Sequence, residues 1–263
     1  SLLKLTSCQA RNTFPLIKEL GPYLEKKLGI QTEYEHDAPW QDRARWLYEG
    51  RLQFGWICSK PYAIQMDETP RLLNGIAVPI MKGSIYNDEP VYYSYLMVHK
   101  ESPAVSLTDL AGARVAYNEP GSQSGYFSLL WGLEQIGETA DFFGEWVESG
   151  AHAFSLEMLQ AQTVEAAAID TTLWDYEISQ NRDAFDDLKI IGQLGPFPGP
   201  PLAAHVSLPQ SLQESLQVIL MEMHDDPEGK AILEASLIER FTAVSDQFYR
   251  ELQVTYQENV PLV

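Results

Sequence analysis

The sequence predicts an α/β protein of two units, each a mostly parallel sheet flanked by helices. Three observations carry this. The first 58 residues alternate strand, helix, strand, helix, strand, the order that builds parallel sheets with right-handed crossovers. A second complete α/β pattern fills residues 96–203, so the chain leaves the first unit once and returns once. The length, 263 residues, is long for one core and suits two. The expected division is residues 1–95 with 204–263 in a discontinuous first unit and 96–203 inserted as the second. Two hinge strands join them, and a cleft separates units that close on a ligand.

Each element has its own local reason. Leu2 to Cys8 reads as a first strand, and Gln9 to Phe14 as a polar turn. A helix follows over Pro15 to Leu28, with Leu16, Leu20, Leu24 and Leu28 at four-residue steps, Pro15 in the first turn and Gly29 as the stop. Gln31 to Glu35 is a strand, Trp40 to Glu49 a helix stopped by Gly50, and Leu52 to Cys58 a strand. Val91 to Lys100 is rich in aromatics and β-formers, and Ser106 to Leu110 reads as a capped helical turn. Strands are expected at Glu145–Glu148, Ala166–Asp170 and Leu188–Leu194, with helices at Ser155–Gln162 and from Leu173 to Gln180. The run GPFPGPP over residues 195–201 can be neither helix nor inner strand. Leu202 to Val206 is extended, and helices at Leu212–His224, Pro227–Leu237 and Ser245–Tyr256 close the chain.

The stretch from Ala113 to Gly137 has the most chemical content. A short strand, ARVAYN, runs through EPGSQSG into a helix whose residues Tyr126, Leu129, Leu130, Leu133 and Ile136 form one apolar face, stopped by Gly137. The first amides of a helix lack internal partners and carry partial positive charge, so this turn can hold a small anion without a lysine. Ser122 and Ser124 add hydroxyls, and Gly125 leaves room for close approach to the backbone. The competing reading is that one serine only caps the helix.

Composition narrows the field. The net charge of −19 argues against nucleic acid as a partner, and no run of eighteen apolar residues is present. No signal peptide is visible, because the first residues lead straight into an apolar strand. Two cysteines, Cys8 and Cys58, end the first and third strands, and five scattered histidines give no zinc pattern. The cysteines either form a disulfide in an exported protein or line a cleft as small apolar groups. Arg11 and Lys60 follow the same strand ends and are the cations to weigh near a ligand, against ordinary solvent exposure. Trp56 stands near the end of the third strand. Tyr93 and Tyr95 share one face of theirs, and either walls a cleft or packs in the core.

Several motifs, in order and spacing, resemble the solute-binding proteins of phosphonate, phosphate and phosphite ABC transporters. They are Tyr93-Ser94 before an apolar strand and a Lys-Glu-Ser turn; Ser106-Leu107-Thr108-Asp109-Leu110-Ala111-Gly112; and Ser122-Gln123-Ser124-Gly125-Tyr126. They continue in Gly150-Ala151-His152, Ala167-Ala168-Ile169-Asp170, the proline loop, Asp226-Pro227-Glu228-Gly229-Lys230 and Phe241 to Tyr249. The resemblance implies a type II periplasmic-binding-protein fold and a monomer outside the cytoplasm, periplasmic or lipid-anchored. It implies a small phosphonate-like oxyanion as ligand, a membrane permease as partner, and no cofactor, metal or catalysis. It also implies that Ser122, Ser124, Gly125, His152, Tyr93 and Asp170 surround the ligand; Gln123 and Tyr126 belong to the same turn, and the strand-end positions of Arg11 and Trp56 add them as candidates from the first unit. The family usually has threonine between the serines, and Gln123 departs from that. A helix start at His152 favours the neutral imidazole, which still offers one donor. Asp170 facing an oxyanion must take a proton, hold a ligand amine or orient donors.

Two other classes compete. Some enzymes of menaquinone and tetrapyrrole synthesis share this fold, and Ser124, His152 and Asp170 can be read as a triad, though no nucleophile elbow surrounds the serine. A ligand-sensing domain would bind the same oxyanion and signal.

Overall fold

The computed structural model describes residues 2–254, in two units: residues 2–91 with 198–254, and residues 92–197. Both crossings fall slightly earlier in the chain than the sequence reading puts them.

In chain order the first leg is β1 (Leu2–Ser7), α1 (Phe14–Leu28), β2 (Gln31–Glu35), α2 (Trp40–Tyr48), β3 (Phe54–Trp56), α3 (Ser59–Gln65) and β4 (Leu73–Met81). The second unit holds β5 (Val91–His99), β6 (Arg114–Tyr117), α4 (Ser128–Gln135), β7 (Glu145–Glu148), α5 (His152–Gln160), β8 (Ala166–Asp170), α6 (Thr171–Gln180) and β9 (Leu188–Pro198). The return leg is β10 (Leu202–His205), α7 (Gln210–Met221), α8 (Pro227–Ala235), β11 (Ile238–Thr242) and α9 (Asp246–Val254). Residues 255–256 of the last expected helix lie outside the described residues.

The first sheet has the order β11-β4-β10-β3-β1-β2 and the second β7-β6-β8-β5-β9. In the first, β1 runs parallel to β2 and β3. β10 is antiparallel to β3 and β4, and β11 to β4. In the second, β6 is parallel to β7 and β8, and β5 is antiparallel to β8. The sheets are therefore mixed rather than mostly parallel. The physical reason is the single insertion. β5 and β10 each join a sheet directly after the chain changes unit, with no crossover helix to turn them parallel.

Three elements carry little sequence signal and the sequence reading omits them: α3, β4 and β11. α3 has seven residues with Pro61 inside its first turn. β4 contains Gly75 and Pro79, residues that weaken a strand pattern. Its pairing with β11 shifts register between Ile238 and Arg240, opposite Met81 and Ile80 and next to Pro79. The proline run ends β9, which continues through Pro198 at the sheet edge, where a missing N–H is tolerated.

The core of the second unit explains how its site is held. Met97, Ala116, Leu156, Leu159, Val164, Ala167 and Ile169 form one buried cluster. β8 is buried along its whole length, as an inner strand covered on both faces must be. Its alanines leave little side-chain bulk between strand and helix.

Candidate functional site

Three parallel strands, β7-β6-β8, end side by side, and a helical segment starts at each end. The segment after β6 is a π-helical turn, Gln123–Phe127, running into α4. α5 begins directly at His152 and α6 at Thr171. β5, antiparallel beside β8, brings Tyr93 and Ser94 to the same end, with Ser94 paired to Asp170. Of the ten residues singled out in the sequence, eight lie in the second unit at or next to this shared strand end: Tyr93, Ser122, Gln123, Ser124, Gly125, Tyr126, His152 and Asp170.

The π-helical turn precedes a helix that keeps the centre of the predicted face. Leu129 and Leu133 of the predicted face are buried, joined by Phe127 from the turn, while Ile136 is exposed because the helix ends before it, at Gln135. The turn also separates the two serines. Ser122 is the cap: its Oγ accepts the Gly125 N–H at 3.0 Å. Ser124 is not. Its Oγ lies 2.9 Å from His152 Nε2, and its carbonyl accepts from Ser94 Oγ at 2.7 Å and Ser128 Oγ at 2.5 Å. Two buried hydroxyls thus fix the backbone that carries Ser124, and a buried imidazole meets its side chain.

The expected role of Gly125 is corrected. Its amide goes to Ser122, and the space beside its Cα is taken by Asn118, whose Oδ1 would sit 1.8 Å from an added Cβ. Gly125→Ala is expected to displace the Asn118 carboxamide and cost about 1–3 kcal/mol. Pairing it with Asn118→Ala should recover part of that loss in thermal unfolding; a Gly125→Ala protein as stable as the parent would mean the turn relaxes freely.

His152 is buried and its pKa is pushed down to about 4. Burial is the main cause, and the Ala168 backbone opposes it. Desolvation thus does what the sequence reading assigns to the helix start. Nδ1 of the ring is buried and makes no well-aligned hydrogen bond, and the Ala168 backbone is the group that faces the ring. Asp170 is buried as well, and burial raises its carboxyl to about 6 against its cap bonds. Those bonds converge on Oδ1, from Thr172 N and Thr172 Oγ1 at 2.7 Å and Leu173 N at 3.4 Å. Asp170 is therefore the N-cap of α6 and does not orient His152, so the three residues form no triad.

Tyr93 is half-buried and donates its backbone N–H to Thr171 Oγ1 at 3.2 Å. The Tyr126 ring packs against Tyr117 and Trp146 at 5.0 and 5.3 Å. Trp56 belongs to the first unit. It is 4 % exposed, and its Nε1 donates to Pro200 O at 2.8 Å, so its polar edge is spent on the loop before β10. Arg11, also in the first unit, is exposed in a 3-10 turn. Lys60 is buried there, with its pKa lowered to about 8 by burial, rather than solvent-exposed. Cys8 and Cys58 are not joined in a disulfide, which leaves the cleft-lining alternative of the sequence reading.

Two groups escaped the sequence reading: buried Ser94, which holds the Ser124 carbonyl, and half-buried Asn118, which fills the turn. The Tyr93-Ser94 pattern offered a signal for the first. Nothing in the spacing marked Asn118. Among the described residues no group of three or more His, Cys, Asp or Glu is placed to hold a metal ion, and no helix is long and apolar enough to cross a membrane.

The fold is that of the type II periplasmic binding proteins. The family profile described as ABC transporter, phosphonate, periplasmic substrate-binding protein matches residues 6–249, and the chain belongs to that family. A curated relative, the phosphonates-binding periplasmic protein of Escherichia coli K12, is 28% identical over 164 residues, 60% of this chain. That match spans 48% of the relative, about half its length. Among solved structures, PhnD1 of Prochlorococcus marinus in complex with methylphosphonate has a TM-score of 0.79 at 16% identity, covering 97% of this chain and 96% of that one. A binding-protein component of an ABC phosphonate transporter from Pseudomonas aeruginosa has 0.79 at 15%, covering 96% and 85%. At these identities the two structures speak for the fold.

Proposed function

We propose that this chain is the extracytoplasmic solute-binding component of an ABC transporter and captures a phosphonate or related small oxyanion for a membrane permease. It acts as a monomer and performs no chemistry on its ligand. The observation that carries the reading is the Ser124–His152 pair, held at the shared end of three parallel strands in a member of this family. Ligands of open α/β sheets sit outside the carboxyl ends of the strands.

The pair has one requirement. A hydroxyl has one proton to give. If Ser124 donates it to Nε2, nothing remains for an anion. If the imidazole proton is on Nε2, the ring donates to Ser124 Oγ and Ser124 donates onward to the ligand. An oxyanion selects this second tautomer. Ser122 Oγ accepts from Gly125 and keeps its own proton for the same ligand. Tyr93 and Tyr126 border the turn, and Asp170 takes a ligand amine where one is present.

A thermal-shift panel of methylphosphonate, 2-aminoethylphosphonate, phosphite, phosphate and sulfate tests the reading. A ligand at one hundred times its Kd adds about 2.7 kcal/mol, or roughly 5–10 °C for a chain of this size. A shift with a phosphorus oxyanion and none with sulfate is the expected result, with the ligand recovered unchanged. No shift with any of them would overturn it.

A further inference from the structure

The side chain between the two serines is the anomaly of this turn. Gln123 is fully buried, yet neither Oε1 nor Nε2 has a hydrogen-bond partner among the described residues. Asn118 Oδ1, against the same turn, is also buried without a donor. A buried carboxamide left unpaired is destabilising, and an apolar side chain of that shape would be the safer choice for folding alone. The two oxygens ask for hydrogen-bond donors.

A fully ionised oxyanion has none. It satisfies Nε2 but turns lone pairs toward Oε1. A phosphorus oxyacid that keeps one proton supplies both halves: an oxygen for Nε2–H and a P–OH for Oε1. Charge points the same way. The sequence has no lysine or arginine between Arg114 and Arg182, the stretch that includes all three helical starts. The titratable groups on elements around the turn are Tyr93 on β5, Tyr117 on β6, Glu119 on the loop after it, Tyr126 in the turn, Glu148 at the end of β7, His152 on α5, Asp170 at the end of β8 and Asp175 on α6. Burial keeps His152 neutral and raises Glu119 to about 8. No cation among them balances a second ligand charge.

We infer that this turn takes its oxyanion in the protonated, singly charged form, with the Gln123 carboxamide as the group that recognises the P–OH. The inference rests on the proposed function, in which the turn holds a phosphorus oxyanion, and it adds which protonation state is bound and which residue selects it. Phosphorus oxyacids lose their second proton near neutral pH, a phosphate monoester at about 6, whereas a sulfonate has no proton to give.

Calorimetric titration of the full chain with methylphosphonate and methanesulfonate between pH 6 and 9 tests this. At pH 6 methanesulfonate, equally charged and similarly shaped, is expected to bind at least about a hundredfold more weakly, because a site built for a hydrogen-bonding group rejects the analogue that lacks it. Methylphosphonate affinity should fall about tenfold per pH unit above the ligand's second pKa, the slope for one linked proton. The same slope in Glu119→Gln and in Asp170→Asn assigns it to the ligand rather than to either buried carboxyl. Gln123→Met should weaken methylphosphonate about tenfold or more, narrow its lead over methanesulfonate, and leave the melting temperature of the ligand-free protein unchanged or raised. Methylphosphonate binding that is flat with pH, equal binding of the sulfonate, or an unaltered Gln123→Met protein would overturn the inference and leave the oxyanion reading standing. Failure of every phosphorus oxyanion to bind would overturn both.

Discussion

His152→Ala is expected to lower methylphosphonate affinity about a hundredfold. Two losses add. The ligand loses a hydroxyl donor whose proton is aimed by the ring, and a hydrogen bond to a charged partner contributes about 1.5–3 kcal/mol. Ser124 Oγ also loses the partner 2.9 Å away that holds its rotamer. Because His152 is 5 % exposed, the alanine leaves a cavity and the protein will melt earlier. His152→Gln separates the two effects. Its amide N–H reaches roughly where Nε2 stands and can donate to Ser124, so binding should largely return. Titration calorimetry at one pH, with circular dichroism to verify folding, decides it. A folded His152→Ala protein with parental affinity would remove the histidine from the site.

Much of this site was legible in the sequence, for a physical reason. A strand that meets Pro, Gly and Ser and then an apolar helical period has few ways to fold, and Arg114–Tyr117 followed by a turn and α4 is one of them. The same holds for β2, β7 and β8, whose bounds coincide with the sequence reading. β4 was not legible. Gly75 and Pro79 punctuate its pattern, and it is a strand because of partners far along the chain, β10 and β11. The π-helical turn was invisible too, since a period of 3.6 fits its apolar residues equally well. In that turn Ser122 is the cap and Ser124 is left for His152. Trp56 shows the reverse limit. Its position at a strand end suggested a cleft wall, but the fate of an indole N–H depends on which carbonyl is near, and here that is Pro200.

Asp170→Asn is expected to stabilise the ligand-free protein at pH 7.5 and to do nothing at pH 4. The sign comes from the direction of the shift. Burial raises the carboxyl from its ordinary 3.8 to about 6 in the fold. A raised acid favours the protonated form, so the fold bears no cost below 3.8. The cost grows as pH rises toward 6 and is complete above it, at about 3 kcal/mol for two pKa units. Asparagine keeps an Oδ1 to cap α6 at Thr172 and Leu173 but has no charge to bury. Roughly 6–12 °C in melting temperature should separate the two proteins at pH 7.5. His152 works in the opposite window: its depressed pKa leaves stability intact above 6.5 and removes it as pH falls toward 4. The Asp170→Asn difference must therefore be read pH by pH against the parent, in which that histidine is unchanged. A buried carboxylate that costs stability at neutral pH needs a partner elsewhere, and a ligand ammonium is one. The same variant should then erase the preference for 2-aminoethylphosphonate over methylphosphonate. If Asp170→Asn stabilises the protein and the preference survives, the carboxylate serves the helix alone. If no preference exists in the parent, the ligand has no amine for Asp170 to hold.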